Sequence, residues 1–213
     1  MLLIFDLDGT LFQAKPVVLL AVRRLLYQLG VPEPDESAIL KNAGRGAIDM
    51  LIGVLPEGIE PAAVMPDYYK QMRAAILERG ALFDGVRNTL EQLYEDGHEL
   101  VICSNSPMIY IELVLEHTGI AKLFTNYYST EGYKSKSELV SKLIRPGVPA
   151  VVIGDAHGDI SAAHENGLRA IAAAYGYGNK EMLKPADFFA RTPEEIADRV
   201  RDYITDPRRQ ERM

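Results

Sequence analysis

Leu2-Leu3-Ile4-Phe5-Asp6-Leu7-Asp8-Gly9-Thr10 is an apolar run that passes straight into acid. The apolar part predicts a strand, and because side chains alternate faces along a strand, Asp6 and Asp8 point the same way from its end. Two carboxylates so placed repel each other unless something cationic sits between them. Gly9 can take a backbone conformation closed to other residues, so the chain can turn sharply and bring its carbonyls and N–H groups into the same pocket. The segment reads as a metal-assisted nucleophile; the plain alternative is an acidic strand-to-turn corner.

Composition narrows the setting. The chain has 213 residues, 47% of them hydrophobic, and fits one large domain or one domain carrying an insertion. With 23 Lys and Arg against 30 Asp and Glu, the net charge of -7 has the wrong sign for tracking a nucleic-acid backbone. A small anionic substrate stays compatible, since a divalent cation and one or two basic residues can reverse the field inside a pocket. The single cysteine, Cys103, lies in the apolar run from Leu100 and reads as a small buried residue, with no disulfide possible within the chain. The longest apolar run, Val17 to Val22, is closed by Arg23 and Arg24 and falls far short of a membrane span. Five apolar residues before the first acid are too few for a secretory signal. A reducing, cytoplasmic setting away from membranes is expected.

Beyond Thr10 the pattern turns helical. Pro16 suits a first turn, Val17, Val18, Ala21, Val22, Leu25, Leu26 and Leu29 form one stripe, and Gly30 suits the C-terminal cap. Further helices are expected over Ala47–Val54 and Tyr68–Arg79, with Pro32, Pro34, Pro56 and Pro61 marking connections. After Phe83-Asp84-Gly85-Val86, β-rich runs alternate with helical ones, the signature of a parallel sheet with crossover helices. The expected strands are Leu100–Cys103, Phe124–Tyr128, Ala150–Ile153 and Ala170–Ala174. The expected helices are Val86–Asp96, Met108–His117, Lys136–Ile144, Ile160–Asn166 and Pro193–Ile204. With the opening strand this makes a five-stranded, doubly wound α/β sheet. Residues 1–14 and 83–213 are expected to form its core and residues 15–82 an all-helical inserted domain, with a frayed tail over Asp206–Arg212.

In open parallel sheets, ligands bind outside the carboxyl ends of the strands. The first strand end offers Asp6 and Asp8, the second Ser104-Asn105-Ser106, the loop beyond the third Lys134 and Lys136, and the fourth Gly154-Asp155-Ala156-His157-Gly158-Asp159. In this order the four segments resemble the motifs of the haloacid dehalogenase superfamily of phosphohydrolases. The helical insertion, with Lys41-Asn42-Ala43-Gly44-Arg45 and Phe83-Asp84-Gly85-Val86, resembles the cap of the phosphoglycolate-phosphatase and β-phosphoglucomutase group.

The resemblance implies a phosphatase that passes through an aspartyl-phosphate. Asp6 is implied as the nucleophile, and Asp8 as the acid that protonates the departing alkoxide and later deprotonates water. Asp6, Asp8 through its backbone carbonyl, and Asp155 are implied as ligands of Mg²⁺, with Asp159 one helical turn later reaching the same ion or its water; a helix cap is the other reading of Asp159. Ser104 and the Asn105 N–H are implied to bind phosphate oxygens at a helix start. Lys136, which opens a helix, is preferred to Lys134 for offsetting the charge of the transferring group. His157 is read as solvent-facing. Arg45, between two glycines of the cap loop, could clamp a carboxylate or second phosphate of the substrate, or be an exposed arginine on a turn; Lys41 and Lys15 are weaker candidates.

The chain departs from many relatives in reading Leu11-Phe12-Gln13-Ala14-Lys15 after the first motif, where they carry aspartate and serine. The group's mutases use a cap histidine, and His98, His117, His157 and His164 all lie outside the insertion. Hydrolysis of a small phosphorylated metabolite is therefore preferred to the alternative of a phosphosugar mutase. The resemblance disfavours a phosphonate hydrolase, since such relatives carry alanine where this chain has Asp8. An aspartate-phosphorylated signalling domain, a third alternative, lacks a helical insertion after its first strand. Monomer and homodimer are equally compatible with the sequence.

Overall fold

The structure is a computed structural model that describes residues 1–41 and 46–205. Its strands are β1 (Leu2–Phe5), β2 (Glu99–Ser104), β3 (Asn126–Ser129), β4 (Ala150–Gly154), β5 (Arg169–Ala173) and β6 (Phe188–Ala190). They form one sheet in the order β3-β2-β1-β4-β5-β6, with every pairing parallel. The sequence predicts five strands. The sixth, β6, is a three-residue edge strand whose middle residue, Phe189, is exposed, so it carries no usable alternation.

Alternate residues of the central strands feed two cores. Leu3 and Phe5, Leu100 and Ile102, and Val151 and Ile153 belong to one cluster. Leu2 and Ile4, Val101 and Cys103, and Ala150 and Val152 belong to the other. Because both faces are covered, these strands read as unbroken apolar runs.

Between β1 and β2 the described chain is helical: α1 (Ala14–Gln28), α2 (Glu36–Leu40), α3 (Ala47–Ile52) and α4 (Pro61–Arg79). The predicted stripe of α1 is buried at Val17, Ala21, Val22, Leu25 and Leu26, and Gly30, two residues past the helix end at φ +68°, lets the Val31 N–H reach back to the Leu26 carbonyl. α1 packs along α4, and Val64, Tyr68, Met72 and Ile76 of α4 join the first core. α4 begins at Pro61, not near Tyr68. Pro61 takes the first helical turn, where its missing N–H costs nothing, and Pro66 lies inside the helix.

The remaining helices are α5 (Val86–Glu95), α6 (Met108–Thr118), α7 (Lys136–Leu143), α8 (His157–Glu165), α9 (Lys180–Leu183) and α10 (Glu195–Thr205). α5, α6 and α10 contribute to the first core, α7, α8 and α9 to the second, so the sheet is covered on both sides.

The two segments joining the helical insertion to the sheet run side by side. The Gln13 N–H donates to the Ala81 carbonyl at 2.9 Å, the Phe83 N–H to the Leu11 carbonyl at 3.0 Å, and the Gln13 side chain to the Leu82 carbonyl at 2.8 Å. Arg45, together with Asn42, Ala43 and Gly44, lies outside the described residues, as does the tail from Asp206. Among the described residues, no helix is long and apolar enough to cross a membrane.

Candidate active site

β1 sits between β2 and β4, and the direction of chain growth across the sheet reverses there, which opens a crevice at the carboxyl ends of β1 and β4. Asp6 follows β1 directly, and its N–H donates to the Ile153 carbonyl at 2.8 Å, holding the end of β1 against β4. Asp155 follows β4 directly, and Asp159 stands in the first turn of α8. One carboxylate oxygen from each of Asp6, Asp155 and Asp159 lies within 4.8 Å of the others. Lys136, the first residue of α7, is buried among them, its Nζ 2.6 Å from Asp6 Oδ1 and 2.5 Å from Asp159 Oδ1. The Ser135 hydroxyl accepts the Glu138 N–H at 3.2 Å, caps α7 and so fixes where that lysine starts.

Asp159 divides its oxygens between two tasks. Oδ1 receives Lys136, while Oδ2 accepts the Ala156 N–H at 3.0 Å. It steadies the start of α8 from the helix's third position, not from the cap position itself. That support lets α8 begin at His157, earlier than the sequence pattern suggests.

Asp8 stands apart from this cluster. The Ser106 hydroxyl donates to one of its oxygens at 2.6 Å and the Tyr110 phenol to the other at 2.7 Å. Gly9 follows at φ +90°, and a Cβ there would fall 2.3 Å from Asp155 Oδ2, so only glycine lets this turn pass against Asp155.

Burial, the largest cause, pushes the Asp6 carboxyl well above the usual carboxylate range; Lys136 opposes it, while Asp159 and Asp155 add to it. Burial also raises Asp8, against the hydrogen bonds from Ser106 and Tyr110. Asp155 is pushed up to about 6, by burial first and Asp159 second, against the N–H groups of Tyr177 and Gly178. For Lys136, burial favours the neutral form, but Asp159 and Asp6 outweigh it and hold the ammonium charged. The site therefore offers several carboxylates against one ammonium in a poorly solvated place. An oxygen-only, acid-rich donor set of this kind suits a hard divalent cation such as Mg²⁺.

Other residues singled out in the sequence fall as follows. Ser104, the last residue of β2, is buried, and its hydroxyl accepts the Ser106 N–H at 3.1 Å. Asn105 is exposed and receives the Thr130 hydroxyl at 3.3 Å. Lys134 is exposed on the loop before α7. His157 is exposed, with its ring 3.1 Å from the Ser161 hydroxyl. Lys15 pairs with Glu36 at 2.9 Å.

Sequence reasoning missed the loop after β5. The N–H groups of Tyr177 and Gly178 both donate to Asp155 Oδ2, at 2.7 and 3.1 Å. A Cβ on Gly178 would come within 1.7 Å of the Asp155 carbonyl oxygen. The signal was present in Tyr175-Gly176-Tyr177-Gly178, paired glycines at a strand's carboxyl end. Tyr110 gave no comparable signal, because it looks like one more core position of α6.

The sequence profile of the haloacid dehalogenase-like hydrolases matches residues 3–173. The chain belongs to that family. A phosphoglycolate phosphatase of Vibrio parahaemolyticus is 27% identical over 223 residues, covering 95% of this chain and 94% of its own length. A 5'-nucleotidase of Pseudomonas aeruginosa is 28% identical over 192 residues, covering 85% and 86%. A haloacid dehalogenase-like hydrolase of known structure from Streptococcus pneumoniae superposes with a TM-score of 0.82 at 24% identity, covering 93% of this chain and 97% of that one; it speaks for the fold alone.

Proposed function

We propose that this hydrolase is a Mg²⁺-dependent phosphatase that cleaves the phosphomonoester of a small metabolite by way of an aspartyl-phosphate on Asp6. The observation that carries the proposal is the convergence of Asp6, Asp155 and Asp159 within 4.8 Å, with the Lys136 ammonium against two of them. The names of its relatives, phosphoglycolate phosphatase and 5'-nucleotidase, support a small phosphate ester as substrate.

In this reading Asp6 attacks phosphorus, and the bond to the leaving alkoxide breaks as Asp8 protonates that oxygen. Asp8 then takes a proton from water, which attacks phosphorus, releases inorganic phosphate and restores Asp6. Ser106 and Tyr110 hold the Asp8 carboxyl in place for both transfers. The Ser104 hydroxyl, the Asn105 N–H and Lys136 bind the phosphoryl oxygens and offset their charge. Asp6, Asp155, Asp159 and the Asp8 backbone carbonyl would hold Mg²⁺, which when bound neutralises charge on the transferring group. Residues 15–82 act as a cap that selects the leaving group, with Arg45 as its clamp. A cytoplasmic setting accords with a single, buried, free cysteine.

The test is a phosphate-release screen over small metabolite esters, phosphoglycolate, sugar phosphates and nucleoside monophosphates among them, with and without Mg²⁺. At least one ester should be hydrolysed, chelation should stop it, and Asp6→Asn should abolish it while the protein stays folded. Hydrolysis indifferent to chelator, or to that substitution, would overturn the proposal.

A further inference from the structure

The loop that holds Asp155 also grips both segments connecting the helical insertion to the sheet. On one side, the Tyr175 phenol donates to the Thr10 carbonyl at 2.6 Å. On the other side, Phe83 packs between two rings, Tyr175 at 5.2 Å and Tyr177 at 5.7 Å between centroids. The connecting segments are themselves bonded to each other through Leu11, Gln13, Ala81 and Phe83. Any displacement of the helical insertion relative to the sheet has to flex them at this point. Meanwhile, two successive N–H groups of the same loop converge on one oxygen of Asp155 and set how that carboxylate faces Asp6 and Asp159.

We infer that Phe83, Tyr175 and Tyr177 form an aromatic clasp that ties the placement of the helical insertion to the orientation of the Asp155 carboxylate, with Tyr177 as a positioning residue. The inference rests on the metal site proposed above. Tyr177 supplies its ring to Phe83 of the connecting segments and its backbone to Asp155, so one residue joins the two. The ring contacts of Phe83 are with Tyr175 and Tyr177. An effect of Phe83 on metal binding therefore has to travel through the clasp.

The experiment titrates Mn²⁺ into wild type, Tyr177→Phe, Tyr177→Ala and Phe83→Ala, following free ion by electron paramagnetic resonance, and records each protein's metal-free melting curve. Phe83→Leu is held in reserve should the alanine variant fail to fold. Tyr177→Ala and Phe83→Ala should each weaken Mn²⁺ binding about tenfold, the low end of what groups supporting metal ligands contribute. Tyr177→Phe, which keeps the ring on Phe83, should bind Mn²⁺ as wild type does. In a double variant of Phe83 and Tyr177 the losses should not add, because both substitutions break one device. Mn²⁺ affinities within twofold of wild type in folded Phe83→Ala (or Phe83→Leu) and Tyr177→Ala would overturn the clasp and leave the metal site standing. Failure of the wild type to bind Mn²⁺ would overturn the metal site and the clasp with it.

Discussion

At the scale of single residues, the site is built from groups that each serve more than one neighbour. Lys136 meets Asp6 and Asp159, Asp159 meets Lys136 and the Ala156 N–H, and Asp8 receives two hydroxyl donors. Ser106 and Tyr110 are the test of Asp8's placement. Removing one hydrogen bond to a charged group should lower turnover about tenfold in either Ser106→Ala or Tyr110→Phe, with KM little changed. Steady-state kinetics on the best ester of the screen would check this, and wild-type turnover in both variants would show that these hydroxyls do not position Asp8 for the chemistry. Gly9→Ala should destabilise the protein by about 2 kcal/mol, since a methyl group would have to displace the Asp155 carboxylate. Chemical denaturation measures that cost, and a neutral result would contradict the close approach of the turn to Asp155. The acids and Lys136 are legible in the sequence because they stand just past strand ends and at helix starts in a fixed order. Tyr110 was not, since an aromatic at a helix core position looks the same whether or not its hydroxyl has work to do.

Secondary-structure elements show where local signals carry and where they stop. β1, β2 and β4 are continuous apolar runs bounded by turn residues, and the sequence places them within a residue or two. β6 escaped because three residues at a sheet edge owe their conformation to pairing with β5, not to any pattern of their own. The short helices α2 and α9 escaped because four or five residues are too few to show a helical period. The sequence predicts α4 only from Tyr68 because Pro61 reads as a connection, whereas here Pro61 opens the helix and the buried stripe of Val64, Tyr68, Met72 and Ile76 carries it past Pro66. Pro66 is exposed and cannot donate to the Ala62 carbonyl one turn earlier. Restoring that amide in Pro66→Ala should therefore raise the melting midpoint by about 3 °C, even after allowing for greater freedom in the unfolded chain. A lowered midpoint would mean that proline's restriction of the unfolded chain outweighs the restored amide.

For the molecule as a whole, strand order explains why residues far apart in sequence meet. Placing β1 between β2 and β4 brings Asp6, Asp8, Ser104, Asp155 and Asp159 to one crevice, while α7 delivers Lys136 from the loop beyond β3. The doubly wound sheet and the helical insertion could be anticipated from alternating strand and helix patterns. What could not be anticipated was the gathering of both connecting segments under the Tyr175–Gly178 loop, because that depends on the position of β5 beside β4. A carboxylate cluster short of positive charge should also govern stability. Mg²⁺ at a hundredfold excess over its dissociation constant should stabilise the fold by about 2.7 kcal/mol. Asp155→Asn should reduce that response, and a thermal shift series with and without Mg²⁺ would show it; an equal response in the variant would place the ion elsewhere. The most direct test of the whole account is peptide mapping by mass spectrometry of enzyme quenched in acid during turnover with Mg²⁺. It should find a phosphoryl group on Asp6, in the peptide that carries Leu2 to Thr10, and none in Asp6→Asn. Steady turnover with no phosphoryl group on Asp6 at any quench time would contradict it.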